Sequence, residues 1–191
     1  MALMVRNTDE ANDFYKQFIG KGTNPDFKIF EVDMENPHQI TKVFEEVMEF
    51  FGEPLDHVII CHGLVVQKDC YSCDMFDFDK TMTVNVRSVL QITSLSVPFL
   101  KATSRENSPS ITILTSHQGC SPDPMAPLMS VSASMIQMMI KSVALETAAF
   151  GIRVNGVAVG VTKTAVRTKD IYGVTEPMTG LQNSKFLYDA E

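Results

Sequence analysis

The feature that most constrains this fold is an alternation of short β-branched apolar runs with longer segments of helical periodicity. The short runs predict strands, and the longer segments predict helices with one apolar face. The candidate strands are Ala2–Val5, Phe27–Val32, His57–Cys61, Ser110–Thr115 and Arg153–Val157. The candidate helices are Thr8–Ile19, His38–Phe51, Phe76–Thr103 and Pro127–Phe150. Strands that alternate with crossover helices predict a doubly wound α/β fold with a parallel sheet.

Residues that start and stop helices fall where the periodicity places helix ends. Asn36 and Pro37 are typical of an N-cap followed by the first turn of a helix. Gly20, Gly52 and Gly151 each come just after a predicted helix, where a left-handed residue commonly ends the helical turn. The helix-capping residues therefore agree with the helix ends that the periodicity predicts.

Length and charge limit the classes of protein that this chain can belong to. With 191 residues, 45% of them hydrophobic, the chain can bury one core, which predicts a single domain over 1–191. The α/β body spans 1–164 and an irregular C-terminal segment spans 165–191. A net charge of −7 without a basic run argues against nucleic acid. Apolar stretches such as Val131–Ile140 are shorter than the roughly 20 residues of a membrane span, so none is predicted.

The cysteines indicate a reducing compartment. Cys61, Cys70, Cys73 and Cys120 do not form the pattern of a disulfide framework, and the first residues lack a signal-peptide apolar region. An intracellular location follows, with the cytoplasm favoured and an organelle as the alternative. One CxxC pair could bind zinc, but without a second pair free loop thiols are the better interpretation, and no metal site is predicted.

Several residues carry a resemblance to a known family. Asp33 follows a strand, Asn85 lies in TVNVRSVL, Ser116 lies in ITILTSHQG, and GIRVNGVAVGVTKT follows the last long helix. In this order and spacing, Phe27–Thr164 resembles the short-chain dehydrogenase/reductase family, whose fold is Rossmann-like. The resemblance implies that Asp33 lies near an adenine, that Asn85 holds a proton-relay water and that Ser116 orients a substrate carbonyl.

The departures from the family pattern fall on the catalytic residues. The family has a Tyr thirteen residues after the Ser and a Lys four residues further on, where this chain has Met129 and Ala133. A register shifted by two residues would place Val131 and Met135 there instead. None of these side chains can donate a proton to a carbonyl oxygen or lower a neighbouring pKa. We therefore expect Ser116 and Asn85 to be retained positions of a site without its family chemistry.

The cofactor positions are similarly incomplete. The family's first strand and Gly-rich turn, which admit a pyrophosphate to a helix N-terminus, have no counterpart in the sequence. Asp33, Gly63, Gly160 and Thr164 are the remaining positions that the resemblance implies for cofactor binding. Cys61-His62-Gly63 stands where the family has Asn-Ala-Gly, and Val159-Gly160 where it has Pro-Gly. No cofactor is expected, and NAD(P) is the alternative.

The missing strand is central in the family order 3-2-1-4-5-6-7, so its loss would leave buried backbone groups unpaired at about 1–3 kcal/mol each. Three outcomes are open: the sheet closes to the order 2-1-3-4-5, another chain donates a strand, or the chain is part of a longer product. The family's last strand also lacks a counterpart after Thr164. Open sheet edges invite a partner chain.

Three functions follow from these features. The leading one is a non-catalytic structural or interaction subunit of a homo- or hetero-oligomer, which associates through helices 76–103 and 127–150 or open sheet edges. The alternative is an NAD(P)-dependent oxidoreductase acting on a carbonyl or alcohol, in which His62 or His117 could replace the missing acid or base. The third is a sensor of a small ligand bound beneath Ser116 and His117.

Overall fold

The predicted alternation of strands and helices is confirmed by a computed structural model, which describes residues 1–18, 27–52 and 54–160. The strands are β1 (Ala2–Val5), β2 (Lys28–Glu31), β3 (His57–Ile60), β4 (Ser110–Ser116) and β5 (Arg153–Val159). The helices are α1 (Thr8–Phe18), α2 (Pro37–Phe51), α3 (Met75–Met82), α4 (Ser88–Ala102) and α5 (Pro127–Thr147). Thr164, Gly20 and the segment 165–191 lie outside the described residues.

The predicted helix Phe76–Thr103 is divided. A π-helical turn, Thr83–Arg87, separates α3 from α4. Such turns insert an extra residue into the helical ladder and occur often at functional sites. Asn85 lies in the middle of this turn.

The strands pair in parallel, but they form two sheets. β1 pairs with β2, and β4 lies between β3 and β5. In the described residues no ladder joins β1 to β3, so the continuous order 2-1-3-4-5 is wrong although the α/β class is confirmed. Helix α2 lies against α4, with the rings of Phe44 and Phe99 5.8 Å apart. In the described residues, one edge of β1 and one edge of β3 have no strand partner.

One hydrophobic core nevertheless joins the two sheets. Ile111 and Ile113 of β4 are fully buried, as are Val32 after β2, Ile40 of α2 and Leu100 of α4. Side chains of α5 complete this cluster. The helices thus connect the two sheets, which no strand ladder joins in the described residues.

The helix ends have the predicted caps. The Asn36 side chain accepts hydrogen bonds from the backbone N–H groups of His38 and Gln39, which leaves Pro37 in the position that needs no donor. Gly52 and Gly151 have φ angles of 70° and 77°, a region in which an L side chain is strained.

Pro127–Phe150 is, within the described residues, the one helical segment long and apolar enough to cross a membrane by length and composition. Its inner face packs on β4 and β5 and buries Ile136, Ile140 and Val143. A Cβ on Gly156 of β5 would approach Ile140 Cδ1 to 2.7 Å, so the helix lies tightly on the sheet. One face of this helix therefore belongs to the core.

Candidate functional site

The candidate site lies where the π turn, the end of β4 and the first turns of α5 meet. Asn85 is 8% exposed and connects these elements. Its Oδ1 accepts from Leu64 N at 2.7 Å, and its Nδ2 donates to Leu64 O at 2.8 Å. The same Nδ2 donates to Ser132 Oγ of α5 at 3.2 Å. Asn85 therefore connects the loop after β3 to the π turn and to α5.

The structure places Met129 next to Asn85. The Met129 Sδ lies 3.8 Å from Asn85 Nδ2, and Ala133 is 3% exposed one turn further along α5. Val131 and Met135, the residues of the shifted register, are exposed on the outer face of the helix. Neither Met129 nor Ala133 has a proton to transfer.

Ser116 is buried and serves as a local cap. Its Oγ accepts from Gln118 N at 3.2 Å, and its carbonyl accepts from Gln137 Nε2 of α5 at 2.9 Å. A Cβ on Gly119 would come within 2.9 Å of the Ala133 carbonyl carbon, so the turn after β4 lies directly on α5. No hydrogen bond joins Ser116 to Asn85 in the described part of the chain.

The two histidines have separate environments. His62 Nε2 lies 2.6 Å from Ser88 Oγ, and the Ser88 hydroxyl donates to Val84 O at 2.6 Å. Because Ser88 has only one proton, the hydrogen on His62 belongs on Nε2. Burial lowers the pKa of His62, which a backbone hydrogen bond at Val84 partly opposes. His117 has a buried Nδ1 without a hydrogen-bond partner among the described residues, and no hydrogen bond links the two rings.

The lowered pKa of His62 predicts a loss of stability in mild acid. The unfolded chain, with a histidine pKa of about 6.5, takes up the proton first as the pH falls. Stability from neutral His62 is fully present above that value and is lost as the pH falls from there to the lowered folded-state pKa. We expect the urea concentration at the unfolding midpoint to decrease when the pH is lowered from about 7.5 to about 5.5. The decrease should be smaller in His62→Gln. His38→Gln, on an exposed ring, should behave as the wild type does; equal pH dependence in all three proteins would contradict the assignment.

Three of the four predicted cofactor residues lie in the described part of the chain. The Asp33 carboxylate accepts one hydrogen bond from Glu35 N at 2.9 Å. A Cβ on Gly63 would meet Asn85 Oδ1 at an ordinary 3.7 Å, and a Cβ on Gly160 would meet nothing within 4 Å. Neither glycine is required by a close backbone approach, and Thr164 lies outside the described residues.

The helix that follows β1 is also unsuited to an anion. Asn7 Oδ1 already accepts from the backbone N–H groups of Asp9 and Glu10, at 3.1 and 3.2 Å. The carboxylates of these two residues lie in the same first turn. Capped donors and added negative charge disfavour phosphate there. The described residues thus do not fit the pyrophosphate of a dinucleotide.

Three residues that contact Asn85 or Ser116 were not identified from the sequence: Leu64, Ser132 and Gln137. Leu64 acts through its backbone, which no side-chain motif reveals. The alternation Ser130, Ser132, Ser134 on an apolar helix was the available signal for Ser132. In the described ranges, no group of three or more His, Cys, Asp or Glu side chains could hold a metal ion.

Comparisons with known proteins agree with the fold. The family profile described as short chain dehydrogenase matches residues 1–172. A tropinone reductase homolog of Arabidopsis thaliana is 25% identical over 160 residues, covering 84% of this chain and 58% of that protein. An uncharacterized oxidoreductase of Thermotoga maritima is 29% identical over 122 residues, covering 64% of this chain and 47% of that protein.

A solved structure, ElxO with NADP bound, superimposes with a TM-score of 0.74 at 19% identity. The match covers 86% of this chain and 64% of that one. At this identity the likeness shows the fold. The chain therefore spans about half to two thirds of the length of these relatives.

Proposed function

The chain belongs to the short-chain dehydrogenase family, and we propose that it is a non-catalytic member that serves as an interaction subunit. One observation carries the proposal: α5 presents Met129 and Ser132 to Asn85 where proton-transfer chemistry would require an acid. A thioether has no proton, and a serine hydroxyl without an adjacent base is a poor acid at neutral pH.

The environment of His62 argues against its replacing this acid. The Nε2 of His62 is engaged with Ser88, and burial lowers the pKa of the ring, which keeps it neutral in a neutral solution. Among the described residues, the polar contacts of Ser116 are with Gln118 and Gln137, neither of which is a base. This arrangement supports the proposal that the site does not catalyse carbonyl reduction.

The test is an assay for NADPH- and NADH-dependent reduction of a panel of ketones and aldehydes. We expect the rate of nucleotide oxidation to equal that of buffer, and Ser116→Ala to change nothing. Turnover that falls at least tenfold in Ser116→Ala would overturn the proposal, because it would place the reaction at the end of β4.

The alternative is an NAD(P)-dependent oxidoreductase acting on a carbonyl or alcohol. Two similarities favour it: one relative is named an oxidoreductase, and ElxO was solved with NADP bound. Because the chain spans only part of these proteins, a longer form could contain a complete cofactor site. Quenching of NADPH fluorescence on binding to the 191-residue chain would support this alternative.

The surface proposed for interaction is the outer stripe of α5. It comprises Val131, Met135, Met138 and Leu145, which are 48%, 47%, 61% and 82% exposed. With exposed Ser142 they are spaced alternately four and three residues apart, as in the a and d positions of a coiled-coil seam. The opposite face of the helix is already buried in the core. An apolar row of this kind on a folded surface is typical of a docking site.

We propose a second copy of this chain as the occupant. Lys141 and Glu146 flank the stripe at the g and e positions, where opposite charges pair across two helices. Neither residue has an ion pair among the described residues, so both are available. The same surface can therefore satisfy its own charges in a symmetric dimer.

Met138→Glu should convert a dimer to a monomer, because it places a charge in the centre of the apolar seam. The measurement is light scattering after size exclusion at several protein concentrations. Met75→Glu, at a methionine that is 70% exposed on α3, is the matched control and should leave the dimer intact. A wild-type chain that stays monomeric, or a Met138→Glu variant that stays dimeric, would contradict the proposal.

A further inference from the structure

The segment Cys70-Tyr71-Ser72-Cys73 forms a single helical turn just before α3. The Asp69 carbonyl accepts from both Ser72 N and Cys73 N, each at 3.2 Å. Residues three apart in such a turn lie on the same side, with Cα atoms roughly 5 Å apart by helical geometry. A disulfide requires a Cα separation of about 4.4–6.8 Å. The turn therefore holds the two thiols at a distance that a disulfide can span.

The two thiols differ in accessibility. Cys70 is exposed, whereas Cys73 is half-buried and its Sγ donates to the Lys68 carbonyl at 3.9 Å. Burial raises the pKa of Cys73, and the negative charge of Asp77 adds to the effect while Lys68 opposes it. Cys70 is thus the thiol that a reagent in solution meets first, and Cys73 is placed to react second.

Neighbouring side chains fix the turn on both sides. Lys68 Nζ lies 2.6 Å from Asp77 Oδ2, and the Asp69 carboxylate accepts from Ser72 N at 2.9 Å. Asp74 and Asp77 form a reciprocal capping box at the start of α3. Since the backbone is already held in this conformation, closing a disulfide requires little rearrangement.

We propose that Cys70 and Cys73 form a reversible dithiol–disulfide site that exchanges with low-molecular-weight disulfides such as oxidised glutathione. The Cys70 thiolate attacks one sulfur of the reagent, forms a mixed disulfide and releases one glutathione. The Cys73 thiolate then attacks the Cys70 sulfur, forms the internal disulfide and releases the second glutathione. The protein loses two electrons and two thiol protons. The electrons and the protons are taken up by the two glutathione molecules that are released in the thiol form.

The other two cysteines lack this arrangement. Cys120 Sγ donates to Gln137 Oε1 at 3.1 Å, and Cys61 has no cysteine within the three residues on either side. We expect each of them to form at most a mixed disulfide. This site is independent of the interaction proposed for α5 and of any oxidoreductase activity.

The experiment uses the full chain incubated with a series of ratios of reduced to oxidised glutathione, followed by alkylation and mass spectrometry. In the wild type, Cys70 and Cys73 should become resistant to alkylation without carrying glutathione. Digestion should yield a peptide with an internal Cys70–Cys73 bond. The double variant Cys61→Ser/Cys120→Ser should behave in the same way.

Two variants make the result specific. Cys70→Ser/Cys120→Ser leaves Cys61 and Cys73, and Cys61→Ser/Cys73→Ser leaves Cys70 and Cys120; each should give glutathione adducts and no internal bond. The proposal is overturned if Cys70 and Cys73 of the wild type each retain a glutathione, if neither reacts, or if the control pairs form internal bonds as readily.

Discussion

Replacing Asn85 with alanine should lower the free energy of unfolding by about 2–4 kcal/mol, because three hydrogen bonds of a buried side chain are lost together. The substitution leaves both backbone groups of Leu64 without their partner and removes the bond to Ser132. The measurement is urea unfolding, combined with hydrogen exchange at the Leu64 amide, which should become faster.

Asn155→Ala is the matched control. Asn155 is exposed on β5, and its replacement should change stability by less than about 0.5 kcal/mol. If Asn85→Ala were as mild as this control, Asn85 would not be the residue that fastens the loop after β3 to α5. A loss of stability with unchanged Leu64 exchange would contradict the same point.

Ile113→Ala should cost about 2–5 kcal/mol, the usual range for removing a fully buried aliphatic side chain. Ile113 is fully buried in β4, where it pairs with Ile60 of β3 on one side and with Gly156 of β5 on the other. The cavity would open at the centre of the core that joins the two sheets. Chemical denaturation of the purified chain measures the loss.

Ile59→Ala on β3 makes the comparison informative. Ile59 is 68% exposed although it belongs to a strand next to the most buried one, so the isolated chain should lose less than about 0.5 kcal/mol. A cost close to that of Ile113→Ala would contradict the exposed position of Ile59. An equally mild Ile113→Ala would contradict the buried position of β4.

The elements of the fold could be predicted from local patterns. Strand β4 has a β-branched apolar run, and α2 has both an apolar face and its Asn36 cap, so each follows from residues close in sequence. The π turn at Asn85 could not be predicted in this way, because TVNVR is compatible with an ordinary helix. Its position depends on Asn85 reaching Leu64 and Ser132, which are 21 and 47 residues away in the chain.

The assignment of the candidate site stays a prediction. The spacing from Ser116 places Met129 and Ala133 at the positions that the resemblance implies for Tyr and Lys, and the structure puts the Met129 Sδ 3.8 Å from Asn85 Nδ2. The roles of Asn85, Ser116 and Asp33 in water, substrate or adenine binding stay predictions. In the structure their side chains are engaged with other groups of the chain.

The sequence by itself determined the α/β class and the parallel direction of the strands. These depend on residue types and on spacings along the chain, which local propensity and counting can read. Only the tertiary structure decided that, in the described residues, no ladder joins β1 to β3. Which strands pair depends on contacts between residues far apart in the chain, which local propensity does not encode.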